Sequence, residues 1–126
     1  VGDGLLAKCA AFEAYDFSAN WQNELKSTMS IVQTGDPLSG TCTSAKSSAG
    51  TSTKGKLTGY VDGKLIAFVV HWDDFQAITS WVGQLAPKGQ PTDPDVLNTL
   101  WQMTKAVAPG DEWASINAGA DSFGRI

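Results

Sequence analysis

Positive charge is scarce in this chain. Nine Lys and Arg stand against 13 Asp and Glu, for a net charge of −4 and a pI near 4.7. The tightest basic spacing is Lys54-Gly-Lys56. Phosphate backbones and anionic lipids need a concentrated positive field, so neither nucleic acid nor a membrane surface is an expected partner. Long apolar runs are also lacking, and nothing approaches the ~20 residues of a membrane-spanning helix. One His and two cysteines, Cys9 and Cys42, give no CxxC and no metal-ligand spacing. No metal and no cofactor are expected. No nucleophile–base pair is readable either, so the chain is not expected to be an enzyme. No secretory leader is read at the N-terminus, and a start at Val1 fits either a processed chain or an engineered start. A secreted or extracellular location is expected, with a cytoplasmic one as the alternative.

Small and aromatic residues fill the space that charge leaves. The 126 residues, the length of one domain, include 13 Gly, eleven Ser and eleven Thr, a mix that favours strands and turns over helices. Five Trp is a high count for this length, and Trp in small β-domains often lines a binding surface. Residues 3–15 are the only helix-like stretch, with Leu5, Cys9 and Phe12 at helical spacing. Residues 1–16 therefore read as an N-terminal extension, helical if ordered, and 17–126 as the domain proper. Turn signals then recur about every ten residues. They predict strands near 17–24, 27–33, 38–44, 54–61, 64–72, 77–86, 96–105 and 113–123. Asp62-Gly63 is a two-residue hairpin signal, and residues 44–53 read as a flexible Ser/Ala/Thr/Gly loop. Pattern alone leaves an up-and-down antiparallel barrel and a sandwich both open.

Strand residues alternate between two faces, so parity sorts them. One set holds Phe68, Val70 and Trp72; Thr79, Trp81, Gly83 and Leu85; Leu97, Thr99, Trp101 and Met103. It continues with Leu38, Gly40, Cys42 and Ser44; Trp21 and Asn23; Asn117, Gly119, Asp121 and Phe123. As an interior this mixes indole rings with hydroxyls, an amide and a carboxylate. A dry core excludes such groups unless they are partnered, whereas a small-ligand cavity uses them. An ordinary Trp-rich core with polar strand ends also fits the same residues. Trp21 reads as floor core, His71 as outward-facing, and Asp73-Asp74 as a solvated turn. Cys42 is either a free lumen thiol or bonded to Cys9. Its inward parity favours the free thiol.

Eight ordered blocks then carry a resemblance. They are Asn20-Trp-Gln-Asn-Glu-Leu-Lys-Ser-Thr-Met29, Leu38-Ser-Gly-Thr-Cys-Thr-Ser44, Lys56-Leu-Thr-Gly59, Phe68-Val-Val-His-Trp72, Ile78-Thr-Ser-Trp-Val-Gly-Gln84, Leu97-Asn-Thr-Leu-Trp-Gln-Met103, Asp111-Glu-Trp113 and Gly119-Ala-Asp-Ser-Phe123. Together, over roughly 17–124, the chain resembles the avidin/streptavidin family. The resemblance implies an all-β, eight-stranded antiparallel up-and-down barrel that binds biotin non-covalently and tightly in its lumen. It implies Asn23 and Ser27 on the ureido oxygen, Asp121 on a ureido N–H and Thr79 on the ring sulfur. It implies Trp72, Trp81 and Trp101 around the bicyclic ring, and Trp113 inserted from a neighbouring subunit. Ser44 and the loop 46–50, with Ser48, match the segment that covers the pocket and meets the carboxylate tail. Cys42 stands where the family usually has a Tyr donor, Ala77 where some members carry Ser, and Phe68 where Trp is frequent. The implied partners are biotin and further copies of the chain, as a homotetramer built from pairs of barrels, or a dimer. The rival expectation is an avidin-like barrel that has left biotin for a peptide or a glycan.

Overall fold

The computed structural model describes residues 15–45 and 52–126. Eight strands run in chain order: β1 Ala19–Asn23, β2 Thr28–Gln33, β3 Pro37–Thr43, β4 Lys54–Asp62, β5 Leu65–Trp72, β6 Ala77–Leu85, β7 Val96–Lys105 and β8 Ile116–Arg125. Each pairs antiparallel with the next, and β8 returns to pair with β1, which closes the barrel. This is the barrel of the two architectures that pattern left open. Gly63, at φ 60°, sits in the left-handed turn that the Asp62-Gly63 signal predicts between β4 and β5.

Two strand starts move by two residues or more. The last strand begins at Ile116 rather than 113, because Glu112–Ala114 forms a 3-10 turn before it. The first begins at Ala19 rather than 17, because Phe17 and Ser18 bond to Gln33 instead of a ladder partner: Phe17 N donates to Gln33 Oε1, and Gln33 N to Ser18 Oγ. The helix-like stretch 3–15 lies outside the described residues except for Tyr15. The centre of the 44–53 loop lies outside them too.

Parity holds in every strand except at the start of β8, where Asn117, expected inward, is exposed along with Ile116 and Ala118. In β5 exposed and buried residues alternate without a break, with Ile66, Phe68, Val70 and Trp72 inward and His71 outward. The two ends of the barrel differ. At the end carrying the β2–β3, β4–β5 and β6–β7 connections, Phe17, Trp21, Met29, Leu97 and Phe123 are almost wholly buried and fill the interior. Each such Phe, Leu or Met adds roughly 1.5–3 kcal/mol by leaving water. Trp21 has its polar atom satisfied, with Nε1 donating to Phe17 O at 2.9 Å. This end is a floor. The connections β1–β2, β3–β4, β5–β6 and β7–β8 surround the opposite end, the mouth.

A polar clasp fastens the floor. The Arg125 guanidinium lies 4.9 Å from the Trp21 ring and 5.2 Å from the Tyr15 ring, and it donates to the Tyr15 hydroxyl and to Asp16 O. Tyr15 in turn donates to Asp95, which Lys88 also meets. Burial, and then the bond to Asp95, push the Tyr15 phenol up to about 12 from its ordinary 10.0. The protonated phenol is the form the fold prefers. Its contribution is complete below pH about 10 and disappears as pH rises through about 12. An alkaline absorbance titration should show one tyrosine ionising late, and Tyr15→Phe should remove that step and flatten stability between these limits. A late step that survives Tyr15→Phe would contradict the clasp.

Candidate ligand-binding site

Above the floor, a cavity of about 170 Å³ remains within the barrel. Asn23, Ser27, Cys42, Ser44, Trp72, Thr79, Trp81, Trp101 and Asp121 line it, so the lumen brings together these nine residues singled out in the sequence. Leu25, Met103 and Phe123 line it as well. Met103 and Phe123 carried the inward parity that marks them as wall. Leu25 is a turn residue and left no periodic signal. Ser48 and the side chain of Trp113 lie outside the described residues. The Trp113 backbone is in the 3-10 turn of the β7–β8 connection, at the mouth.

Asn23, Ser27, Thr79 and Asp121 are each held by hydrogen bonds within the protein and keep bonding capacity to offer. Asn23 caps the β1–β2 turn: its Oδ1 accepts from Leu25 N at 3.1 Å and from Ser27 N at 2.9 Å. That fixes the amide orientation and leaves the Nδ2 amine as a donor. The turn-capping role and a lumen role are therefore compatible in one residue. Ser27 Oγ accepts from Ala45 N at 2.9 Å, so its proton is left to donate. Asp121 Oδ2 accepts from Trp81 Nε1 at 3.0 Å, which leaves Oδ1 to accept. Thr79 Oγ1 accepts from Trp72 Nε1 at 2.9 Å and holds that ring against the wall.

The indoles complete the walls. Trp81 stacks on Phe68 with ring centroids 5.1 Å apart. Trp101 lies across β8 because its neighbour there is Gly119; a Cβ at Gly119 would come 2.6 Å from the ring. The interior therefore offers two donors and one carboxylate acceptor between aromatic faces. Such a set matches a neutral, planar group in which a carbonyl is flanked by N–H. Among the described residues, no group of three or more His, Cys, Asp and Glu is gathered closely enough to hold a metal ion.

The family model described as "Avidin family" matches residues 11–126. This chain belongs to the avidin family. Its barrel is similar to the crystal structure of Xenavidin, with 27% identity, a TM-score of 0.74, and coverage of 90% of this chain and 100% of that one. It is similar to AVR2 at 27% identity and a TM-score of 0.74, over 86% of this chain and 94% of that one. It also shares its fold with apo shwanavidin, at 24% identity and a TM-score of 0.71, over 89% and 100% of the two chains. Proteins of the avidin family are binding proteins.

Within this avidin-family lumen, Cys42 is a free, buried thiol rather than half of a disulfide. Burial, and then the nearby Asp121 carboxylate, push it up to about 12. The thiolate is the reactive form, so labelling of the native protein should be far slower than for an ordinary thiol at neutral pH. In a Cys9→Ser background, maleimide should modify Cys42 only after denaturation. Labelling of the native protein at the rate of a free thiol would place Cys42 outside the closed lumen.

Proposed function

We propose that the lumen binds biotin non-covalently and with high affinity. The carrying observation is the half-used bonding capacity of Asn23, Ser27 and Asp121. The ureido group of biotin is a carbonyl flanked by two N–H groups, the complement of two donors and one acceptor. Asn23 and Ser27 donate to its oxygen, and Asp121 accepts from one N–H. A carboxylate on that N–H polarises the group and strengthens the bonds at oxygen. Trp72, Trp81 and Trp101 enclose the bicyclic ring, Thr79 meets its sulfur, and Ser44 lines the same cavity; the family resemblance assigns Ser48 to the segment that covers it. Membership of the avidin family supports the same ligand.

Cys42 bears on strength rather than identity. A thiol is a weak donor, and at this position a phenol would supply a third strong one. Losing one bond of this class costs about 1.5–3 kcal/mol, or about 10- to 150-fold in Kd. Affinity is therefore high but below that of a lumen with three strong donors. Calorimetry with biotin should give one site per chain. Asn23→Ala and Asp121→Ala should each weaken it by about 10- to 150-fold in variants that keep the wild-type circular dichroism. No saturable heat with the wild type would pass the lumen to the peptide or glycan alternative.

We also propose that barrels pair through the outer face of β5–β8. Ala67, Val82, Leu100 and Ala120 are successive cross-strand neighbours there, and Tyr60 extends the row onto β4. Val82 is 63% and Leu100 69% exposed, beside exposed Leu65. A concavity of about 660 Å³ lies along this row. A contiguous apolar row on a folded surface marks an interaction site, and a second copy presents a matching row across a two-fold axis. Pairs of such dimers would give the homotetramer, with Trp113 reaching a neighbour's ligand. Light scattering should report an oligomer for the wild type, and Val82→Glu with Leu100→Glu should reduce it to monomers that retain the barrel's circular dichroism. A monomeric wild type at micromolar concentration would contradict this.

A further inference from the structure

Asn23 and Asp121 face one cavity from the two strands of the barrel seam, yet the ladder between those strands stops short of Asp121. Its last rung is Asn23 with Phe123. In an antiparallel ladder the hydrogen bonds fall on alternate rungs. Ile126 N donates to Asn20 O at 3.0 Å, so the bonded rungs are Asn20 with Ile126 and Gln22 with Gly124. The next bonded rung would join Glu24 to Ser122. It does not form through the backbone, because the chain leaves the ladder at Glu24 to make the β1–β2 turn that Asn23 Oδ1 caps.

The side chain of Glu24 supplies the missing acceptor. Its Oε2 takes the hydrogen bond of Ser122 N at 3.0 Å. Among the described residues this is the one hydrogen bond that crosses the seam on the mouth side of Asn23 and Phe123. Glu24 follows Asn23 in the chain and Ser122 follows Asp121, so the bond ties the lumen donor of β1 to the lumen acceptor of β8. From its other side Asp121 is held by neighbouring strands. Thr99 Oγ1 of β7 donates to Asp121 O at 3.0 Å, and Trp81 Nε1 of β6 to Asp121 Oδ2 at 3.0 Å. Ser122 Oγ also donates to Asn98 Oδ1 at 3.2 Å. Asp121 borders the lumen on one side and the outer concavity on the other, and Glu24, Asn98 and Ser122 line only the outer space.

We propose that Glu24 is a positioning residue for the ligand site. It works from outside the barrel, where its carboxylate completes the seam and sets the spacing between the Asn23 donor and the Asp121 acceptor before a ligand arrives. The consequence for biotin rests on the lumen ligand proposed above, whereas the hold on Asp121 does not. A carboxylate is a strong acceptor for a backbone N–H. Orienting a binding group in advance lowers the ordering cost of association, so the affinity Glu24 contributes is bounded by the worth of its own bond.

Hydrogen exchange on the ligand-free full chain reads this hold directly. The Ser122 amide should be protected in the wild type, lose protection in Glu24→Ala and keep it in Glu24→Gln, whose amide oxygen still accepts. The Trp81 indole N–H, which bonds to the Asp121 carboxylate, should exchange faster in Glu24→Ala and not in Glu24→Gln. Biotin affinity should fall about 2- to 10-fold in Glu24→Ala and stay within about twofold of the wild type in Glu24→Gln. Added to Asp121→Ala, Glu24→Ala should cost no further affinity, because the two act through one group. A purely structural role would lower the melting temperature and leave the Trp81 indole and the affinity unmoved, which would overturn the proposal. So would a Ser122 amide whose protection does not depend on Glu24, or a loss of affinity that appears only where light scattering shows a smaller oligomer. Should Glu24→Ala fail to fold, Glu24→Ser, also too short to reach Ser122, takes its place. A wild type that binds no biotin ends the ligand assignment, and exchange at Ser122 and Trp81 then decides by itself whether Glu24 holds Asp121.

Discussion

Three residue pairs hold β1 to β8: Trp21 with Arg125, Gln22 with Gly124, and Asn23 with Phe123. This seam joins residues about a hundred positions apart in sequence, and the lumen exists because it forms. It brings the donors at the end of β1 to the carboxylate of β8, since Asp121 lies two residues before the partner of Asn23. Closing so long a loop is entropically costly, and the floor offsets that cost. Trp21 and Phe123 are buried on either side of the seam, and Arg125 lies over Trp21 while it grips Tyr15 and Asp16. The clasp, the floor and the binding groups are therefore one mechanical unit.

Above the floor the same sheet follows a different rule. Buried polar groups are normally satisfied within the protein. Here Asn23, Ser27 and Asp121 are each satisfied only in part, by a turn, a loop amide or an indole, and the remaining capacity faces the cavity. Partial satisfaction orients Asn23, Ser27 and Asp121 before a ligand arrives, so little ordering is left to do on binding. It also explains the buried thiol. Cys42 faces the lumen as a small apolar wall residue with a suppressed thiolate, which suits containment and not reaction.

Much of this was legible in the sequence, because period-two alternation is a local property. The inward sets from Trp21 to Phe123, the outward His71 and the Asp62-Gly63 turn all follow from neighbouring residues. The residues of the site were legible through the ordered Trp, Gly and Thr blocks, a pattern that spans the chain. What escaped was geometry made by partners distant in sequence. Phe17 looked like the start of a strand, yet Gln33 captures its amide. Trp113 looked like a strand start, yet its backbone turns with Glu112 and Ala114. Leu25 reaches the cavity through turn geometry, with Lys26 beside it at φ 70°. The choice of barrel over sandwich belongs to the β1–β8 seam, which leaves no periodic trace.

The central claim is that the space between the indoles is a ligand cavity and not loosely packed core. Tryptophan emission tests it most directly, because Trp72, Trp81 and Trp101 all line that space. On titration with biotin, the emission should shift to shorter wavelength as the ligand displaces water from the rings. The shift should saturate at one equivalent per chain, and Asp121→Ala should raise the biotin concentration needed to reach it by about 10- to 150-fold. Emission that stays unchanged at a large excess of biotin would contradict the account.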